Sequence, residues 1–147
     1  MNTSISTLLE GKGRTVCTIP ANVTVAEAVA EMNRHKIGSI VVMNGTTLAG
    51  IFTERDVLTR VVAGNLDPKS TPITAVMSAN VLTIAPTATV QQVMDIFAER
   101  RCRHLPVVEA GQLRGLISIG DVSRWVANAH RAEAESLRQY ISGGLST

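Results

Sequence analysis

Hydrophobic and polar positions change period along this chain in an order that occurs twice. Two short extended openings, Val16 to Pro20 and Val81 to Pro86, come first in their halves. Thr24 with Glu27, and Thr89 with Gln92, then have the spacing of a capping box, which predicts a helix start at each. Val25, Ala28, Val29 and Met32 give the first helix one apolar face, and Val90, Val93, Met94 and Phe97 give the second its own. β-branched runs follow, Ser39 to Met43 and Leu105 to Val108, then turns at Asn44-Gly45 and Ala110-Gly111. Second runs, Leu48 to Phe52 and Leu113 to Ile117, complete two predicted hairpins. A further helix starts near Glu54 or Gly120, with Val57, Leu58, Val61 and Val62 on its face in one half and Val122, Val126 and Ala129 in the other. The order per half is β-α-β-β-α.

Self-comparison shows the same duplication at the level of residues. An offset of 65 lays residues 16–62 on 81–127 without a gap, with identities that include Val16/Val81, Thr24/Thr89, Gly50/Gly115 and Asp56/Asp121. Residues 1–72 therefore hold an N-terminal segment and the first repeat, and residues 73–147 hold the second repeat and an extended C-terminal helix. Gly64 to Pro72 is a breaker-rich loop, and Ile73 to Met77 is a short helical turn. Gly143-Gly144 is the expected helix stop. A unit of roughly 50 residues buries too little apolar surface to be stable alone. The expected fold is α/β (α+β): two repeats packed sheet to sheet with pseudo-twofold symmetry, as one module.

Composition narrows the function classes. Of 147 residues, 45% are hydrophobic and 18% charged, too apolar for a disordered chain, and no apolar run approaches the roughly 20 residues of a bilayer span. No membrane association is expected. The N-terminus has neither a basic n-region nor an apolar h-region, which makes the cytoplasm the expected compartment. A net charge of +2 with 3% aromatics is no nucleic-acid footprint. Cys17 and Cys102 lack any metal-ligand or CxxC spacing and read as small buried hydrophobes, while His35 and His130 read as surface positions; no metal site is expected.

Candidate chemistry sits in a motif that is also duplicated, Gly50-Ile51-Phe52-Thr53-Glu54-Arg55-Asp56 and Gly115-Leu116-Ile117-Ser118-Ile119-Gly120-Asp121. At a strand-to-helix turn, a hydroxyl followed three residues later by Asp can cap the helix. The same pair can also accept both hydroxyls of a ribose while backbone N–H groups face anions. Duplication at equal offset favours a paired ligand site. Arg100-Arg101-Cys102-Arg103-His104 is the densest positive cluster, readable as a solvated helix end or as phosphate contacts. No nucleophile–base set is present, and Gly11-Lys12-Gly13 does not complete a dinucleotide fingerprint, so no catalytic residue and no enzyme activity are expected.

With both motif copies, the Val-x-Thr-Ile openings and the run Cys102-Arg103-His104-Leu105-Pro106-Val107-Val108 in view, residues 12 to 127 resemble the cystathionine-β-synthase (CBS) domain family. A tandem pair of this kind is a Bateman module. The resemblance implies a regulatory, signal-transducing sensor of an adenine nucleotide such as AMP, ADP, ATP, NAD or NADH, or of S-adenosylmethionine, acting as a homodimer on a protein target. By the same resemblance one site combines Thr53, Arg55 and Asp56 with Met77, Asn80 and Leu82 and with Cys102, Arg103 and His104. The other combines Ser118 and Asp121 with Lys12, Thr15 and Cys17 and with Ile37, Gly38 and Ser39. The aspartates would hold ribose and the apolar lead-in residues would frame adenine. Gly120 stands where the first motif has Arg55, so phosphate-rich ligands are expected to prefer the Asp56 site. The rival readings are a ligand-independent interaction protein and a small NAD-using enzyme.

Overall fold

The computed structural model describes residues 2–13 and 15–146, with side chains described as far as Ile141. The chain clusters into two compact units that interleave the sequence halves. The unit containing Asp56 comprises Arg14–Ala85 and Leu105–Leu116, and that containing Asp121 comprises Met1–Gly13, Pro86–His104 and Ile117–Thr147.

In the Asp56 unit, β1 (Thr18–Pro20), β2 (Ser39–Asn44) and β3 (Thr47–Thr53) form a sheet in that order, β1 parallel to β2 and β2 antiparallel to β3. Helix α2 (Val25–His35) connects β1 to β2. The Thr24 hydroxyl caps it by accepting the Glu27 amide, and it buries Val25, Ala28 and Met32. These side chains share a core with Ile19, Ile40, Val42, Phe52, Val61, Ile73 and Val76. Gly45, at φ +64°, supplies the left-handed turn that closes the β2–β3 hairpin. The helix predicted after this hairpin takes a different form. Helix α3 (Glu54–Asp56) passes at once into a π-type stretch, Val57–Val62, where the Ala63 amide reaches the Leu58 carbonyl. Only Val61 of the predicted apolar face is buried, while Leu58 and Val62 are each 65% exposed.

The second hairpin, β4 (His104–Glu109) and β5 (Gln112–Ser118), forms a two-stranded sheet. The second opening is not a full strand. A single parallel bridge joins Ile84 to Val107, in the register that joins Ile19 to Val42 in the first half. The duplication therefore extends to strand register.

The Asp121 unit is helical. Helix α1 (Ile5–Lys12) buries Ile5, Leu8 and Leu9. Helix α4 (Val90–Arg100) has the complete Thr89/Gln92 capping box and buries Val90, Val93 and Phe97. Helix α5 (Ile119–Ser146) is 28 residues long and runs through Gly143-Gly144, beyond the stop expected there. A helical glycine costs only about 1 kcal/mol relative to alanine, so a Gly pair does not by itself end a helix.

Equivalent hydrogen bonds explain the interleaving. The amides of Ile5 and Val90 bond to Ala88 and Thr3 carbonyls, as those of Ile73 and Val25 bond to Val23 and Thr71 carbonyls. Each lead-in thus completes the unit of the repeat that it does not precede: 3–12 docks beside α4, and 71–77 beside α2. The lead-ins match at an offset of 68 rather than 65, a gap that an ungapped self-comparison passes over.

Candidate functional site

Both motif copies fold as reciprocal caps. The Thr53 amide donates to Asp56 Oδ2 at 3.0 Å and the Asp56 amide to Thr53 Oγ1 at 3.2 Å. In the second copy, the Ser118 amide donates to Asp121 Oδ2 at 2.9 Å and the Asp121 amide to Ser118 Oγ at 3.1 Å. The capping reading is thus realised in both halves. It places each aspartate where its remaining acceptor positions meet incoming donors.

What surrounds the carboxylates differs. Asp56 Oδ1 has the Arg60 Nε at 3.6 Å, and Arg60 Nη1 donates to the carbonyls of Val76 and Met77, 3.2 Å each. Arg60 thereby ties the aspartate to the lead-in. Sequence reading missed it, although an Arg four residues after an Asp on a helix is a recognisable pairing signal. The same lead-in is pinned to β3, where Ile51 and Ser78 exchange both backbone hydrogen bonds at 3.0 and 2.9 Å. A Cβ at Gly50 would stand 2.5 Å from the Ser78 carbonyl oxygen, so only glycine permits this approach.

Asp121 is held by two cations. Lys12 Nζ lies 2.6 Å from Oδ2, and Arg124 Nη2 lies 2.6 Å from Oδ1. Arg124 could have been found by its helical spacing, but Lys12 is 109 residues away and only folding brings it there. Burial raises the Asp121 pKa, but the Lys12 hydrogen bond, the Ser118 amide and the Lys12 charge outweigh it, leaving the carboxyl below its ordinary range. A depressed carboxylate pKa stabilises the fold above the unfolded-state value of about 3.9 and loses that contribution as pH falls through the folded value. The stability gap between the natural chain and Asp121→Asn is therefore expected to be full near pH 6 and to shrink below about pH 4. Thermal melts at the two ends of that range check it, and a gap that does not change with pH would mean that the ion pairs contribute nothing.

Of the other expected site residues, Met77, Asn80, Leu82, Thr15, Cys17, Ile37, Gly38 and Ser39 share the unit of Thr53, Arg55 and Asp56. Lys12, Cys102, Arg103 and His104 share that of Ser118 and Asp121. The run opening each hairpin touches the motif of its own half: the Gly38 carbonyl accepts from the Glu54 amide at 2.9 Å, and the Arg103 carbonyl from the Ile119 amide at 3.0 Å. Arg55, Asn80 and Arg103 are exposed, and Met77, Cys102 and His104 are half-buried. Burial pushes the Cys102 thiol pKa up, away from the thiolate.

Capped aspartates at two strand-to-helix turns, each beside a lead-in segment, define a tandem-repeat domain architecture. The family model described as CBS domain matches twice, over residues 14–63 and 73–128, and the chain belongs to that family. It is 35% identical to a mitochondrial CBS domain-containing protein of Arabidopsis thaliana over 97% of this chain and 74% of that protein. A CBS-domain structure from Burkholderia ambifaria, ascribed to signal transduction, is 37% identical with a TM-score of 0.80 over 84% of this chain and 93% of that one. A CBS domain protein from Pyrobaculum aerophilum, solved in complex with AMP, is 28% identical with a TM-score of 0.72 over 81% of this chain and 89% of that one. Among the described residues no helix is long and apolar enough to cross a membrane.

Proposed function

We propose that this chain is a regulatory adenine-nucleotide sensor without catalytic activity of its own. The observation that carries the reading is the capped aspartate present in both halves, on a fold shared with a protein solved with AMP. Asp56 and Asp121 would take ribose hydroxyls, with Thr53 and Ser118 positioning them. Arg55, Arg103 and His104 would meet phosphates of AMP, ADP, ATP, NAD or NADH. Met77 and Leu82, an exposed apolar side chain of the lead-in, would frame adenine. A ligand touching both Asp56 and the 76–82 lead-in favours the arrangement that holds them together, and the population shift is the signal. The two repeats, residues 1–72 and 73–147, act as one module in the cytoplasm, on a protein target. A homodimer is the proposed assembly, and the exposed Leu58 and Val62 are the surface that a second copy would cover.

A thermal-shift and calorimetry screen with AMP, ADP, ATP, NAD, NADH and S-adenosylmethionine tests the reading. A ligand at about 100 times its dissociation constant adds roughly 2.7 kcal/mol, which raises the melting temperature by roughly 5–10 °C for a chain of this size. Binding heat and such a rise with at least one adenine nucleotide are expected. No rise and no heat with any of the six would refute it.

A further inference from the structure

The two aspartates do not offer a ligand the same thing. A carboxylate has about four lone-pair positions, and a vicinal diol needs two of them. At Asp56 the cap uses one position, for the Thr53 amide, and Arg60 stands back at 3.6 Å. At Asp121 three are filled: Ser118 N and Lys12 Nζ on Oδ2, at 2.9 and 2.6 Å, and Arg124 Nη2 on Oδ1 at 2.6 Å. One position remains, which is too few for a ribose.

The two cations are held differently. Arg124 is one turn along the same helix and 72% exposed, so water replaces its Oδ1 contact at little cost, but a diol that donates to both oxygens still finds Oδ2 filled by the Ser118 amide and Lys12. Lys12 comes from another element, the end of α1, whose Ile5, Leu8 and Leu9 are buried and keep the helix docked. The lysine itself sits between Gly11 and Gly13. A Cβ at either glycine would meet nothing within 4 Å, and Gly13 leaves the helix at φ +99°. Lys12 thus hangs on a permissive Gly-Lys-Gly end below an anchored helix, able to swing without undocking α1.

Resting on the nucleotide reading above, we infer that Lys12 is an internal competitor for the Asp121 carboxylate. It takes the place of a sugar hydroxyl, so that Asp56 receives ligand first and Asp121 receives it only when Lys12 turns away. The two copies of the motif are then a primary site and a gated site. Occupation of the gated one is reported by the freed end of α1.

The test isolates the Asp121 site in an Asp56→Asn background, where Asn keeps an acceptor for the Thr53 amide. Adenosine, which has no phosphate for Lys12 to follow, is titrated calorimetrically into the full chain, with AMP run in parallel. Adding Lys12→Met, which keeps the apolar stem, is expected to tighten adenosine about tenfold, as loss of a competing charged hydrogen bond implies. Lys12→Gln should act in the same direction, and Lys12→Arg should stay weak. Unchanged or weaker adenosine binding in both neutral variants, with AMP still binding the natural chain, overturns the gate alone. Absence of binding by either ligand to every variant overturns the nucleotide reading, and the gate with it.

Discussion

Replacing Asp56 by alanine is expected to weaken AMP binding ten- to a hundredfold. The carboxylate is largely buried at the helix start, where the Thr53 hydroxyl and amide orient it and Arg60 flanks its outer oxygen. A charge-assisted hydrogen bond contributes about 1.5–3 kcal/mol, and each 1.4 kcal/mol is about tenfold in affinity. Alanine also removes the acceptor for the Thr53 amide and so weakens the cap by about 0.5–2 kcal/mol. Asp56→Asn separates the two effects, since it keeps that hydrogen bond and should still lose most of the affinity. Titration calorimetry on folded protein, checked by circular dichroism, reads the result. Affinity like that of the natural chain in both variants would remove Asp56 from the ligand.

The largest expected loss of stability comes from a single methyl group at Gly50. The added carbon would lie 2.5 Å from a backbone oxygen, that of Ser78, and 2.9 Å from the Met77 sulfur. A flexible side chain can move aside, but a carbonyl held in a two-way pairing with Ile51 cannot move without breaking that pairing. Gly50→Ala is therefore expected at the upper end of overpacking penalties, about 3 kcal/mol, a fall in melting temperature of roughly 6–12 °C. Because the displaced segment is the lead-in that Arg60 ties to Asp56, AMP affinity should fall together with stability. Gly45→Ala, at an open turn with nothing within 4 Å, serves as the comparison: it bears only the strain of a positive φ. A Gly50→Ala protein as stable as the Gly45→Ala protein would show that the lead-in is free to shift.

Local rules made much of this protein legible from its sequence. The helix starts at Thr24 and Thr89, the turns at Gly45 and Ala110-Gly111, and the strand runs between them depend on neighbours within a few residues, and all are found where periodicity and capping chemistry put them. The repeat showed that Asp56 and Asp121 would occupy equivalent turns, because the interactions that form the cap span only three residues. One local expectation held only in part and one failed, for lack of local information: the helix does start at Glu54, but only Val61 of its expected apolar face is buried. The stretch after Asp56 has a helical pattern but adopts π-type turns with Leu58 and Val62 outward, and Gly143-Gly144 does not end α5.

Only the tertiary structure decided what each aspartate meets. The lead-ins cross over, 71–77 to the first repeat and 3–12 to the second. Nothing in the strength of a capping box or the period of a helix specifies which partner a segment docks against. That crossing brings Lys12 onto a carboxylate 109 residues away and sets Arg60 between Asp56 and the Val76 and Met77 carbonyls. Two turns that read alike in sequence thus carry different electrostatics, because long-range contacts follow from burying apolar faces such as Ile5 and Ile73, and the charges travel with them.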